Sequence, residues 1–242
     1  MFADRPEGLT VVPPRTLPRL WTVREMLLGV GALVGATLLL VALFVLFRFR
    51  GGAAGIAASV LLELALGGVV LLLAARRGLS LRALGFVRPV AWGPVAAGWL
   101  GAYAILIAYF GLLRLVERAG IDTSMFSRGN PVPFRGDEGI LALTVLAVTV
   151  VVLAPFGEEL FFRALLYRGL RGYWAAPAAL LVSGAAFGVF HLNLGVVLPY
   201  TVIGMLFAWV AEESRSLWSA ILAHMLVNGV SFAVGLIAVT SR

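Results

Sequence analysis

The sequence contains no cysteine and no lysine. The absence of cysteine excludes disulfides, thiolate nucleophiles and cysteine-ligated metal sites. All 19 basic residues are therefore arginines, and the formal net charge is +7. The arginines cluster at the edges of apolar runs, which is typical of membrane topology and of contact with anionic lipid headgroups. We therefore expect a lipid bilayer, and no nucleic acid, as the partner of this charge.

Charged residues are scarce as well, at 13% of the chain, whereas 61% of the residues are hydrophobic and the mean hydropathy is +1.01. Soluble domains are about 45–50% apolar and about 25% charged. A soluble chain of 242 residues has too small a core to hide this much apolar surface. Charge is also expensive inside hydrocarbon. The composition therefore predicts a multi-pass integral membrane protein.

Seven apolar runs have about the length that a membrane-spanning helix needs, which is roughly 20 residues. Backbone polar groups inside hydrocarbon must pair within the segment, and the alternating pattern of a membrane barrel is absent. We predict an all-α transmembrane bundle of about 7–8 membrane helices with a polar intramembrane cavity. The runs cover residues 26–47, 53–75, 90–113, 139 through the acidic pair at 158–159, 175–192, 196–211 and 217–239.

The polar residues 1–25 precede the first run and are predicted to form a cytosolic N-terminal segment, followed by one transmembrane domain over 26–242. With seven spans and the N-terminus inside, most arginines fall on the cytoplasmic side, so the positive-inside rule favours a cytoplasmic N-terminus. Trp21, Trp174 and Trp218 lie near the ends of the runs and are expected to anchor in the membrane interface.

Few ionisable residues lie inside the predicted spans, and each is a candidate functional residue. The chain has two histidines, His191 and His224, and both lie in or at the end of apolar runs. The pair Glu158–Glu159 lies at the end of the fourth run, and Asn228 follows His224 by one helical turn. Glu63, in the second run, is isolated, so we expect a structural or cavity-lining role without assigned chemistry.

Helical spacing separates the two adjacent glutamates of the fourth run. Glu159 and Arg163 are four residues apart in the favourable order, so this pair can neutralise itself. Glu158 points about 100° away around the helix. Glu158 is therefore the carboxylate that is free to face the other helices.

The same spacing argument applies to two later helices. Phe187 and His191 share a helix face, where Phe187 is expected to shape the site by packing. His224 and Asn228 share a face of the last helix. Three separate helices can thus bring one carboxylate, two imidazoles and one amide to a common point.

This set of groups is chemically complete for peptide hydrolysis. A carboxylate and an imidazole can hold and deprotonate a water molecule. A second imidazole and an amide can donate hydrogen bonds to the tetrahedral oxyanion, and donors of this kind are worth about 3–4 kcal/mol each. As an alternative, Glu158, His191 and His224 could bind Zn²⁺ and leave one coordination position for water.

Three ordered motifs at these residues resemble the CPBP family, also called the Abi or CAAX-protease family of intramembrane endopeptidases. The family pattern is EExxxR, then FxxxH, then HxxxN or HxxxD, on separate membrane helices. Here the motifs read Glu158–Arg163, Phe187–His191 and His224–Asn228. The resemblance covers about residues 139–232, which would form the catalytic core.

The resemblance implies a role for each motif residue. Glu158 would be the catalytic glutamate and His191 its partner on the water. His224 and Asn228 would stabilise the oxyanion, and the pair Glu159–Arg163 would support the architecture. The resemblance favours a mechanism that needs no cofactor, with Zn²⁺ as the alternative. It also implies a membrane-protein or lipidated-peptide substrate, although bacterial-type members do not generally meet CaaX proteins.

Other functions are less consistent with the sequence. A zinc protease of the site-2 type needs HExxH, which is absent. An aspartyl type needs paired membrane aspartates, yet all three aspartates lie outside the predicted spans, and the GxSG pattern of a rhomboid type is also absent. A transporter would show inverted repeats or paired broken helices, and neither is evident in this sequence. The remaining alternative is a non-catalytic membrane scaffold or bacteriocin-immunity-type binding protein that retains the fold.

Overall fold

The computed structural model describes residues 18–48, 52–129 and 139–240, and within these ranges all regular structure is helical. Six of its helices are long and apolar enough to cross a membrane, and one shorter apolar helix accompanies them. The predicted all-α, multi-pass membrane bundle is thereby confirmed. The helices are α1 Val23–Leu46, α2 Gly52–Arg76, α3 Leu81–Leu84, α4 Gly93–Arg118, α5 Ile140–Arg171, α6 Ala176–Phe190, α7 Leu194–Glu213 and α8 Leu217–Thr240.

The first helix begins three residues before the predicted start because its N-terminus is capped. The Thr22 hydroxyl accepts a hydrogen bond from the Glu25 backbone N–H at 3.2 Å. The Glu25 carboxylate accepts in return from the Thr22 backbone N–H at 2.8 Å. This reciprocal pair is a capping box, which fixes where the helix starts. Residues 1–17 of the predicted N-terminal segment lie outside the described ranges.

The residues before α1 pack on the bundle. Trp21 is 1% exposed, and its indole N–H donates to the Ala164 carbonyl at 2.6 Å. The prediction that Trp21 anchors in the membrane interface is therefore wrong, since the ring is buried against α5. Trp174 and Trp218, at other span ends, remain exposed, so for them the prediction stands.

Helix α5 carries the acidic pair and departs twice from α geometry, over Thr149–Leu153 and Leu160–Tyr167, where the backbone widens to a π-helix. In the first of these segments the Ala154 N–H donates to the Thr149 carbonyl, five residues back. In this register the Val150 carbonyl would pair with residue 155, which is a proline without an N–H. Widened segments of this kind are frequent at functional sites, and these two flank Glu158.

Helices α6 and α7 approach each other closely through glycines. A Cβ atom at Gly188 would lie 2.5 Å from the Val197 carbonyl oxygen, and one at Gly184 would lie 2.6 Å from the Thr201 carbonyl oxygen. Only glycine fits at such backbone contacts. In lipid, this close van der Waals packing, and not transfer from water, stabilises a helix pair. The contact fixes the end of α6, where His191 lies, against α7.

Candidate active site

Polar residues from α2, α5, α6, α7 and α8 line one cavity of about 470 Å³. Its walls are mainly apolar, so each polar side chain in it is conspicuous. The four predicted site residues on its wall are Glu158, His191, His224 and Asn228. The other polar or aromatic lining residues are Ser59, Glu63, Phe187, Phe190, Tyr200, Phe207, Ser231 and Phe232.

Glu159 is the centre of a buried ion cluster beside this cavity. Its Oε1 lies 3.0 Å from Arg163 Nη1 and 2.9 Å from His224 Nδ1. All three side chains are buried. A carboxylate oxygen can only accept, so the His224 Nδ1 carries the hydrogen of this bond. The predicted pair with Arg163 is present, and Glu159 additionally fixes the orientation of the His224 ring.

Arg163 ties three helices together. Its Nη2 donates to the Gly204 carbonyl on α7 at 3.0 Å. Its guanidinium carbon lies 4.5 Å from the centre of the Phe187 ring on α6 and 5.5 Å from that of Phe207 on α7. Cations are attracted to aromatic faces at these distances. The Phe187 ring also lies edge-on to His224, with centroids 5.8 Å apart, which accords with the packing role expected for it.

Glu158 points to the other side of the same imidazole. Its Oε2 lies 3.8 Å from His224 Nε2. This oxygen is buried, and it has no hydrogen-bond partner among the described residues. Two adjacent glutamates thus flank one histidine, with Glu159 at Nδ1 and Glu158 on the Nε2 side. The Glu158 carboxyl group is available to bind a polar group that enters the cavity.

His191 ends α6 with its ring on the cavity wall. Its Nδ1 lies 2.9 Å from the Phe187 carbonyl oxygen. A carbonyl only accepts, so Nδ1 donates and Nε2 holds the lone pair. The ring packs edge-on against Tyr200, with centroids 4.5 Å apart. In the neutral imidazole this contact leaves the lone pair on Nε2, which can then act as a base.

Asn228 reaches across to α5. Its Nδ2 donates at 2.9 Å to the carbonyl of Val150, the group that Pro155 cannot serve. The amide therefore closes the gap in the hydrogen bonding of the first widened segment. A primary amide carries two N–H bonds, and this contact uses one of them.

Three further cavity residues received no chemical role from the sequence. Glu63 lines the cavity, as expected for it, and lies close to the Glu158 turn. Tyr200 packs on His191, and Phe207 packs on His224 with ring centroids 4.9 Å apart. Tyr200 and Phe207 belong to α7, which carries no motif and no charged residue before its last turn. The sequence offers no signal for their placement, because it results from the glycine contact with α6.

The described residues do not present a preformed metal site. A zinc site needs three protein ligands that converge on one point at about 2.0–2.2 Å. In the part of the chain that the structure describes, no group of three or more histidine, aspartate or glutamate side chains could hold a metal ion. The alternative of a zinc site at Glu158, His191 and His224 therefore finds no support in their arrangement.

Comparisons with known proteins match the part of the chain that contains the three motifs. A family model described as "Type II CAAX prenyl endopeptidase Rce1-like" matches residues 140–230, a range that contains all three motifs. The protein named "Putative membrane peptidase YdiL" of Bacillus subtilis is 29% identical over 89 residues. This match covers 37% of the present chain and 36% of the relative, so it spans about a third of the relative's length. No solved structure matches significantly.

Proposed function

We propose that this membrane protein, whose residues 140–230 are of the CPBP type related to CAAX proteases, hydrolyses a peptide bond of a membrane-associated protein. The observation that carries the proposal is that Glu158, His191 and His224 line one cavity. These residues come from three helices of the membrane-spanning bundle. Their convergence supports a shared chemical task. Ionisable groups inside a membrane are energetically costly, so they are typically present where a function requires them.

In the proposed mechanism, Glu158 and His191 act on the attacking water. The free Oε2 of Glu158 takes a proton as the water oxygen bonds to the scissile carbonyl carbon. His191, with its lone pair on Nε2, accepts a hydrogen bond from the second O–H of the water and so orients the water molecule. General-base catalysis of this kind contributes about 10²–10⁴-fold to a rate.

His224 and Asn228 would stabilise the oxyanion that forms on the carbonyl. Because His224 Nδ1 is bound to Glu159, a hydrogen bond donated into the cavity must come from Nε2–H of the imidazolium. Glu159 would stabilise that cation, as the buried aspartate does in a serine-protease triad. The second N–H of Asn228 would be the other donor. Removal of one oxyanion donor costs about 10²–10³-fold in kcat.

The proposed substrate is a membrane protein or a lipidated peptide. The cavity wall is mostly apolar and is built from helices whose outer faces carry exposed leucine, valine and isoleucine. Such a site favours a substrate segment that is already in the bilayer. The cytoplasmic position of the N-terminus, taken from the arginine distribution, belongs to this proposal as well.

The proposed activity predicts specific peptide fragments in cells. Cells that express the wild type should release fragments of a membrane protein, and cells that express Glu158→Gln should accumulate the intact protein instead. Mass spectrometry of membrane and soluble fractions measures both species. Glu213→Gln, at an exposed carboxylate outside this cavity, is the control and should behave as wild type. Identical fragment patterns for wild type and Glu158→Gln would favour the non-catalytic scaffold.

A separate prediction concerns metal. We propose that hydrolysis needs no bound ion, because the site groups can activate water on their own. Purified protein treated with a chelator should keep its cleavage rate, and elemental analysis of the active sample should show substoichiometric zinc. Stoichiometric zinc together with loss of activity in chelator would contradict the proposal.

A further inference from the structure

A second carboxyl group from the N-terminal half of the chain reaches the cavity. Glu63 lies on α2, outside residues 140–230, and lines the cavity together with Glu158. It is 8% exposed, and its Oε2 has no hydrogen-bond partner within the described ranges. Buried polar atoms are normally satisfied, so an unsatisfied carboxyl inside a membrane bundle requires an explanation.

Glycine at position 157 lets the two carboxyl-bearing helices approach. A Cβ atom at Gly157 would lie 2.6 Å from the Glu63 carbonyl oxygen and 3.2 Å from its Oε2. The Glu63 side chain thus lies against the residue that directly precedes Glu158. The Glu63 and Glu158 side chains also line the same cavity. The close contact of α2 with α5 therefore places a second acid beside the proposed base.

The surroundings of the two carboxyl groups differ. Glu158 has His224 Nε2 at 3.8 Å, and the Glu159–Arg163 ion pair lies beside the same imidazole. No ion pair of Glu63 is found among the described residues. Two negative charges this close in a mainly apolar cavity repel each other strongly. A single negative charge, carried by Glu158 beside the imidazolium that the proposed mechanism assigns to His224, avoids that repulsion.

We infer that Glu63 holds a proton and is the general acid of the reaction, an inference that rests on the proposed function. As the tetrahedral intermediate collapses, the carbon–nitrogen bond breaks and the Glu63 O–H proton passes to the amine nitrogen. The proton that Glu158 took from water then moves to Glu63. The products are one carboxylic acid and one amine, and both glutamates return to their initial states.

This role supplies the proton for the leaving nitrogen, a task that the proposed mechanism assigns to none of the motif residues. An amide nitrogen is expelled from a tetrahedral intermediate only when it receives a proton, whereas a thiolate leaves without one. The role of Glu63 should therefore depend on the leaving group. A glutamate that only packs the helices together would affect both leaving groups equally.

The kinetic test uses a farnesylated CaaX peptide, the substrate class named for the matched family, and an analogue with a thioester at the scissile bond. With protein in lipid vesicles, Glu63→Gln should lower kcat for the amide by about 10²–10⁴-fold and leave KM and thioester cleavage nearly unchanged. Glu158→Gln should slow both reactions. Equal rates of Glu63→Gln and wild type on the amide, or equal losses on both substrates, would overturn the assignment.

Infrared difference spectroscopy tests the same inference without a substrate. The carbonyl stretch of a protonated carboxylic acid should be present in the wild type, lost in Glu63→Gln and retained in Glu158→Gln. Gly68→Ala, at an exposed α2 position with open space around it, is the control and should keep the band. A band that persists in Glu63→Gln would refute the inference. If wild type cleaves neither peptide, the proposed activity fails for this substrate class, and the spectrum still decides on Glu63.

Discussion

Glu158→Gln is expected to lower the rate of peptide cleavage by about 10²–10⁴-fold, because glutamine keeps the volume of the side chain and removes the base. The protein should still insert and fold. The neutral amide places no unpaired charge in the cavity, so the thermal midpoint should not fall. Initial rates with protein in vesicles and thermal unfolding in detergent measure the two quantities.

The variant His191→Ala tests the second residue that is proposed to act on the attacking water. If both residues act on one water molecule, the double variant should be about as slow as the slower single variant, since groups that act as a unit are not additive. Fully multiplicative losses would argue against a shared water. Wild-type cleavage of a genuine substrate by either single variant would show that the catalytic assignment is wrong.

Arg163→Ala should destabilise the protein by about 3–5 kcal/mol, the cost of leaving one partner of a buried ion pair alone. The change removes the 3.0 Å contact to Glu159 and the hydrogen bond to the Gly204 carbonyl. It also removes the cation packed on the Phe187 ring. Thermal unfolding in detergent, followed by tryptophan fluorescence, measures the loss.

A charge-neutral double variant separates two contributions to that loss of stability. One is the cost of leaving the Glu159 charge unpaired, and the other is the loss of the remaining contacts of Arg163. Arg163→Met combined with Glu159→Gln removes both charges, and so it should recover part of the stability, because no uncompensated charge remains. Activity should stay low in this double variant, since the carboxylate that orients His224 is gone. A thermal midpoint of Arg163→Ala equal to that of the wild type would remove the structural role of the ion pair.

The helical spacing in the sequence predicted that Glu158, His191, His224 and Asn228 could face a common point, and all four line the cavity. The order of Glu159 and Arg163 predicted their ion pair, and the 100° step between the two glutamates predicted that Glu158 stays outside that pair. Hydropathy placed most helix ends to within about five residues, because the length of a span is set by the thickness of the bilayer. The fourth helix was predicted wrongly to end at the acidic pair, since α5 continues to Arg171, and the predicted span at 175–192 is a helix shorter than the six long ones.

The individual side-chain contacts between distant helices could not be predicted in this way. The bond from Glu159 to His224 joins residues 65 positions apart, and its existence depends on how α5 packs on α8. Pro155 signals a disturbed helix, but it does not reveal that the backbone widens or that Asn228 serves the freed carbonyl. The burial of Trp21 likewise results from docking on α5, whereas hydropathy near a span end suggests the interface.

The two widened segments change the direction in which the side chains of α5 point along its length. Each wide turn accommodates about one extra residue, and one residue corresponds to about 100° of rotation. The side chains at the N-terminal end of α5 are therefore rotated around the helix axis relative to those of the C-terminal half. At that N-terminal end, Ile140 and Leu141 are 80% and 75% exposed. One continuous backbone can direct aliphatic side chains outward at one level and acids inward at another.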